Sequence, residues 1–221
     1  MKTINVGLSV SLDNDIKAEQ LRGRMREEGI LLINLMSSPG AGKSTLLKRT
    51  IQDLKDELRF AVMEADIAST VDAEAMAAAG AQAIQVHTDG MCHMDAGMTE
   101  AALNAFDYKN SDILFLENVG NLICPAEFDT GAEKKVMILS VPEGDDKPLK
   151  YPLMFRESDV LLITKTDTKS FFRFDMETCL KRVRALNPDI KIFPLSARTG
   201  DGMEAWENWL KESLMMLRGK E

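Results

Sequence analysis

The chain has 221 residues, 45% of them hydrophobic and 28% charged, the proportions of an ordinary globular protein able to bury a core without disulfide or metal staples. Its 27 basic against 35 acidic residues leave a net charge of −8, which argues against nucleic acid or a membrane surface as a partner, since either favours a basic face. The three cysteines read as reduced thiols. Neither a signal leader nor an apolar stretch of membrane-spanning length is visible, so a cytoplasmic protein is expected.

Residues 1–12 are polar and unpatterned and read as an arm. Residues 13–28 predict a helix that Asp13 can cap and Gly29 can end. The pattern then changes. Apolar runs of strand length fall at 30–36, 59–65, 81–88, 112–118, 134–141, 160–167 and 191–197. Most are nearly continuous rather than alternating, as in strands of a mostly parallel sheet covered on both faces. Helical segments near 43–57, 72–79, 94–107, 174–187 and 203–217 fall between several of them. The alternation predicts an α/β, doubly wound, mostly parallel seven-stranded sheet with helices on both faces. Such sheets bind ligands at the carboxyl ends of their strands.

After the first run comes Ser37-Ser38-Pro39-Gly40-Ala41-Gly42-Lys43-Ser44-Thr45, in the strand–loop–helix context of a Walker A phosphate loop. Gly40 and Gly42 let the backbone approach phosphates, and the helix N-terminus offers free N–H groups. Lys43 is placed to reach the β- and γ-phosphates, and Ser44 to ligate Mg²⁺. Ser37 stands where the consensus has its first glycine. Asp66, just past the second run, is a candidate to face Mg²⁺ or to position the attacking water; an ordinary helix cap is the alternative. Glu117, at the tip of the apolar ILFL strand, has the Walker B arrangement, and the Gly120 N–H is then placed to sense the γ-phosphate.

Thr164-Lys165-Thr166-Asp167 follows the sixth run. Many GTPases carry Asn-Lys-x-Asp there. The Asp carboxylate accepts from the guanine N1–H and 2-amino group, which adenine cannot supply, and leaving it unpaired is costly. Lys165 is expected to lie along the base, Thr164 stands where Asn is usual, and Ser196-Ala197 backs the base from the other side. The order Walker A, Glu117, TKTD, SAR is that of a P-loop GTPase. Residues 30–221 are therefore read as one GTPase domain, preceded by an arm and helix over 1–29.

Cys92 and His93 lie in the loop after the third run, and Cys124 in the loop after the fourth. Thiolate with imidazole suits Zn²⁺ or Ni²⁺, and both ions want a fourth ligand. Water can supply it, or a second subunit across a two-fold interface. Cys124 lies just beyond Gly120, so a γ-phosphate-dependent shift would move a metal ligand directly. His87 reads as a strand-end or surface histidine, and Cys179 as core packing.

The stretches SSPGAGKST, CHMDAGM (92–98), LENVGNLICPAEFD (116–129), SVPEGDDKPLKYPLMF (140–155) and LSARTGDG (195–202) resemble the HypB family, the nickel-insertion GTPases of hydrogenase maturation, over nearly all of residues 30–210. The resemblance implies a P-loop NTPase fold and slow GTP hydrolysis with Mg²⁺ held by Ser44, Asp66 and Glu117. It places the metal ligands on Cys92, His93 and Cys124. It also implies a homodimer formed across the nucleotides, in which Lys147 and Lys150 contact nucleotide or partner or are plain surface lysines. Expected partners are a companion nickel chaperone and a hydrogenase large-subunit precursor. Residues 1–30 contain neither Cys nor His, so an N-terminal nickel store of the kind many relatives carry is not expected. A urease-type nickel GTPase, with its Cys-Pro-His triplet, and a chaperone GTPase for cobalamin-dependent mutases, which needs no such ligands, are the competing readings.

Overall fold

A computed structural model describes residues 6–65 and 71–219, with side chains from 12–65 and 74–219. Strands β1 (Leu31–Ser37), β2 (Phe60–Ala65), β3 (Gln82–Val86), β4 (Ile113–Glu117), β5 (Lys134–Ser140), β6 (Val160–Thr164) and β7 (Lys191–Pro194) form one sheet in the order β3-β2-β4-β1-β5-β6-β7. Each neighbouring pair is parallel, so the mostly parallel sheet expected from the sequence is parallel throughout. The central strands carry continuous apolar runs because helices cover them on both sides. The chain from β1 runs to β2 on one side, whereas that from its neighbour β5 runs to β6 on the other. Loops diverge at such a point and leave a crevice at the strand ends.

Helices α2 (Lys43–Leu54), α3 (Val71–Ala79) and α9 (Met203–Arg218) cover one face. Leu47, Ile51, Met76, Trp206 and Leu210 pack there on Leu31, Ile33, Phe115 and Val136. The other face holds two clusters. Helices α1 (Val6–Glu27) and α4 (Ala96–Leu103) lie over β1, β2 and β4, where Leu21, Met25 and Leu103 meet Leu32, Met63 and Leu114. Short helices α5 (Cys124–Glu127) and α7 (Pro152–Arg156), with α8 (Met176–Leu186), cover β5 and β6. The remaining short helix is α6 (Lys147–Lys150). Among the described residues, no helix is long and apolar enough to cross a membrane.

One boundary differs from the sequence expectation. Helix α1 begins at Val6, not near Asp13, so part of the anticipated arm is helical and Asp13 lies inside the helix rather than at its cap. Once the docked turns nucleate a helix, extension towards the N-terminus is inexpensive, and no proline stops it. The C-terminal end is as expected. The Gly29 N–H donates to Arg26 O and the Ile30 N–H to Met25 O, the paired bonds that close a helix at a glycine. Helix α1 is tied to the sheet by Arg22, which donates to Asp129 Oδ2 at 2.7 Å and to Ala132 O at 3.1 Å, and by Arg26 on Glu133 at 2.8 Å. The sequence expectation for α4 began at 94; the helix starts at Ala96 because Asp95 caps it, accepting from the Met98 N–H.

Candidate functional site

The loop after β1 turns through two left-handed glycines, Gly40 (φ 74°) and Gly42 (φ 103°). No side chain caps α2, which follows Gly42, so its first N–H groups point at the ligand position, the usual device for phosphate binding. Lys43 Nζ donates to Ser37 Oγ across 3.0 Å, and Ser37 Oγ donates to Ser38 O at 2.8 Å. The serine at the missing glycine position thus holds the lysine head beside the loop.

Pro39, Gly40, Lys43, Ser44, Glu64, Glu117 and Gly120 are among the residues lining a cavity of about 290 Å³ at the ends of β1, β2 and β4. Ser44 Oγ donates to Glu117 Oε1 at 3.2 Å. Glu64 is paired in register with Glu117 on the neighbouring strand and is almost fully buried. A hydroxyl and two carboxylates are hard oxygen donors of the kind Mg²⁺ takes. Glu64 belongs to no sequence motif, although it stands one residue before the end of an apolar strand much as Glu117 ends its own. Asp66 lies outside the described residues. Gly120 sits so near the phosphate loop that a Cβ there would lie 3.0 Å from Pro39 Cγ and 3.1 Å from its backbone N.

A second cavity, of about 260 Å³, adjoins the loop on the β6 side, lined by Ala41, Thr45, Thr164, Lys165, Asp167, Ser196 and Ala197 among others. Ser196 Oγ donates to Asp167 Oδ1 at 2.8 Å, fixing the carboxylate. Thr164 Oγ1 donates to Ala41 O at 2.9 Å and Lys165 Nζ to Gly40 O at 2.7 Å, so the TKTD segment grips the phosphate loop. The two cavities lie on either side of the phosphate loop, which lends Gly40 to one and Ala41 and Gly42 to the other. Lys147 and Lys150 line neither. Lys150 pairs with Asp146 at 2.6 Å, and Lys147 lies over the Tyr151 ring.

Cys92, His93 and Cys124 converge, each offering a ligand atom within 4.8 Å of the others. Strands β3 and β4 are separated by β2, so the loop after β3 spans the end of β2 to reach Cys124. His93 is nearly buried and stacks on Phe128, ring centroids 3.8 Å apart. Burial lowers its pKa, against the opposing charges of Asp95 and Glu127, which favours the neutral imidazole that ligates metal. A hydrogen bond with Cys92, then burial, raises the Cys124 thiol, and Asn121 Nδ2 donates to its sulfur at 3.3 Å. Two thiols and an imidazole suit a borderline or soft divalent ion. His87 is exposed and stands apart from this group. Cys179 is fully buried among Met154, Phe155 and Val183, and burial pushes its thiol up to about 11.

The family profile described as CobW/HypB/UreG, nucleotide-binding domain, matches residues 31–194. The hydrogenase maturation factor HypB of Escherichia coli K12 is 45% identical over 210 residues, which span 95% of this chain and 72% of that protein. The crystal structure of HypB from Helicobacter pylori in complex with nickel superposes with a TM-score of 0.87 at 38% identity, covering 92% of this chain and 96% of that one. HypB from Archaeoglobus fulgidus superposes with a TM-score of 0.86 at 35% identity, covering 92% and 99%. By the profile match over residues 31–194 and the 45% identity over 95% of its length, the chain belongs to the HypB family of nucleotide-binding proteins.

Proposed function

We propose that this chain is a GTP-hydrolysing nickel metallochaperone that couples its nucleotide state to metal delivery during maturation of a nickel–iron hydrogenase. One observation carries the reading. Cys124, one member of the Cys92–His93–Cys124 cluster, lies just beyond the end of β4, whose residues Glu117 to Gly120 line the phosphate cavity. One ligand of a metal cargo and the residues facing a γ-phosphate are therefore carried by one short segment.

In this reading Lys43 and the first amides of α2 bind the phosphates and stabilise charge on the transferring phosphoryl group. Asp167, held by Ser196, selects guanine, with Lys165 and Ala197 closing the base cavity. Ser44, Glu117 and Asp66 hold Mg²⁺, which when bound neutralises phosphate charge. Among the described residues lining the phosphate cavity none is arginine or glutamine, so turnover is slow and hydrolysis serves as a timer. Nickel, or zinc, is cargo on Cys92, His93 and Cys124. Cys92 is exposed, so a second copy can reach the cluster and complete the metal shell. A homodimer promoted by GTP or metal follows, with Lys147 and Lys150 facing the partner. The cytoplasm is the compartment, and a companion nickel chaperone and the hydrogenase large-subunit precursor are the protein partners.

The test is a nickel and zinc titration with GTP–Mg²⁺ or GDP–Mg²⁺, with mass followed by light scattering. Tight metal binding in a GTP-promoted dimer, abolished by Cys92→Ala, is expected. Metal binding indifferent to both nucleotide and Cys92 would overturn the coupling. A mutase chaperone would retain its partner activity in Cys92→Ala and Cys124→Ala variants.

A further inference from the structure

The two halves of the metal cluster reach the phosphate cavity by different routes. Cys124 follows Gly120 directly along the chain. Cys92 and His93 arrive on the loop from β3, with β2 between them and β4, and no short covalent path links them to the phosphates. Asn118 bridges that gap. Its side chain is 1% exposed, and the residue lines the phosphate cavity. Asn118 Oδ1 accepts from the Met94 N–H at 3.0 Å and from the Val119 N–H at 2.9 Å. Its Nδ2 donates to Asn34 Oδ1 on β1 at 3.1 Å, and its backbone N–H donates to Leu35 O at 3.0 Å. One carbonyl oxygen therefore joins the residue after His93 to the residue before Gly120.

Both held amides are buried, so neither has water as a ready substitute, and releasing them is costly. The loop is stiff around the contact. Met94 is fully buried, Asp95 caps α4 through the Met98 N–H, and Asn14 Oδ1 accepts from the Ala96 N–H at 3.0 Å. A rigid segment pinned at one point moves with its pin. A shift at Val119–Gly120 is thus transmitted to His93 through Oδ1, while the same shift reaches Cys124 through the chain.

We propose that Asn118 is the positioning residue through which the phosphate cavity and the Cys92–His93 half of the metal cluster sense each other. The inference rests on the nucleotide–metal coupling of the preceding section and names the atom that carries it. Without Oδ1 the γ-phosphate still moves Cys124, but His93 no longer follows, so the two halves lose their common register. Asn118→Asp retains an oxygen for both N–H groups, and the Asn34 amide can turn its own NH₂ towards the second oxygen. Asn118→Ala retains neither contact.

The experiment compares Zn²⁺ and Ni²⁺ affinity, by competition with a chromophoric chelator, in protein loaded with GDP–Mg²⁺ or a non-hydrolysable GTP analogue. In the wild type the two states are expected to differ by about fivefold or more, the lower end of ordinary coupling between sites. In Asn118→Ala the ratio falls to within about twofold of unity, and by reciprocity the effect of metal on nucleotide affinity falls equally. Asn118→Asp restores the ratio. Asn14→Ala, which loosens the same loop from outside, lowers stability but keeps the ratio. A purely structural asparagine would weaken metal binding by one factor in both nucleotide states and leave the ratio intact, which overturns the proposal. If Asn118→Ala does not fold, Asn118→Ser, too short to reach both amides, takes its place with the same expected collapse. A wild-type ratio of one defeats the coupling itself, whereas a normal wild-type ratio kept in the variants defeats only the role of Asn118.

Discussion

The Thr164 hydroxyl donates to the Ala41 carbonyl across 2.9 Å, tying the end of β6 to the phosphate loop after β1. This residue stands where many GTPases carry asparagine, and the tie gives the substitution a physical content. Thr164 is 4% exposed, so the carbonyl it serves has little water to turn to. Thr164→Val keeps the shape and removes the donor. The loss is expected to cost about 1–2 kcal/mol, read as a fall in Tm of about 2–6 °C, and GDP should dissociate faster from the loosened loop. An unchanged Tm and GDP off-rate would show that the bond does no work.

Gly120 makes a second close approach, with Pro39 3.0 Å from the position of a Cβ. Gly120→Ala must push the phosphate loop or the strand end aside by a few tenths of an ångström. Overpacking of this kind costs about 1–3 kcal/mol. On the proposed reading Gly120 faces the γ-phosphate, so affinity for a non-hydrolysable GTP analogue is expected to fall by about tenfold, with GDP affected less. Equal losses for both nucleotides, measured by fluorescent-analogue titration, would place the effect on the loop as a whole.

Asp167, proposed above to select guanine, lines the cavity beside β6 and is held by the Ser196 hydroxyl at 2.8 Å. Asp167→Asn keeps the bond from Ser196 and exchanges an acceptor for a donor. Guanine N1–H and its 2-amino group then face an N–H, whereas the 2-oxo group of xanthine finds one. Unpaired buried polar groups cost about 1–3 kcal/mol, so the guanine-to-xanthine affinity ratio should fall by about 10- to 100-fold or invert. Competition of xanthosine and guanosine diphosphates against a labelled nucleotide measures it. An unchanged ratio would remove Asp167 from base recognition.

The fold was legible because its signal is local. Seven apolar runs marked seven strands, and the motifs were expected at or after strand ends, where Glu117 closes β4, Thr164 closes β6 and the phosphate loop follows β1. Three features were not legible. The start of α1 at Val6 depends on docking of its later turns against Leu32 and Leu114, which the 1–12 stretch does not advertise. Glu64 carries a signal, a carboxylate near the end of an apolar strand, but its pairing with Glu117 depends on β2 lying beside β4. Asn118 gave none, since its role arises only when the loop after β3 crosses the end of β2 and lays the Met94 N–H against it. Sequence periodicity reports which residues are buried; it does not report which loops meet.

Far from the nucleotide, Asp112 clamps the opposite end of the sheet. Its carboxylate accepts from the Arg59 backbone N–H at 2.8 Å, from Arg59 Nε at 3.3 Å and from an Arg218 guanidinium nitrogen at 2.7 Å. Arg218 also donates to Gly29 O, so one carboxylate joins β2, β4, α9 and the end of α1. Burial pushes the Asp112 carboxyl up, but the hydrogen bonds from Arg59 and Arg218 outweigh it and hold the pKa below the usual carboxylate range. A depressed folded pKa means that the unfolded chain takes up the proton first as pH falls. The stabilisation is therefore complete above about pH 4, the unfolded value, and is lost as pH drops through the lower folded value. Both arginines are substantially exposed, so solvent screens the pairs, and Asp112→Asn is expected to cost only about 1–2 kcal/mol at neutral pH. That corresponds to a fall in Tm of about 2–6 °C. The difference between variant and wild type should shrink on acidification below about pH 4, because protonation then does to the wild type what the substitution did. A difference that stays constant down to the acid transition would mean that the carboxylate charge contributes nothing and that the clamp works through shape alone.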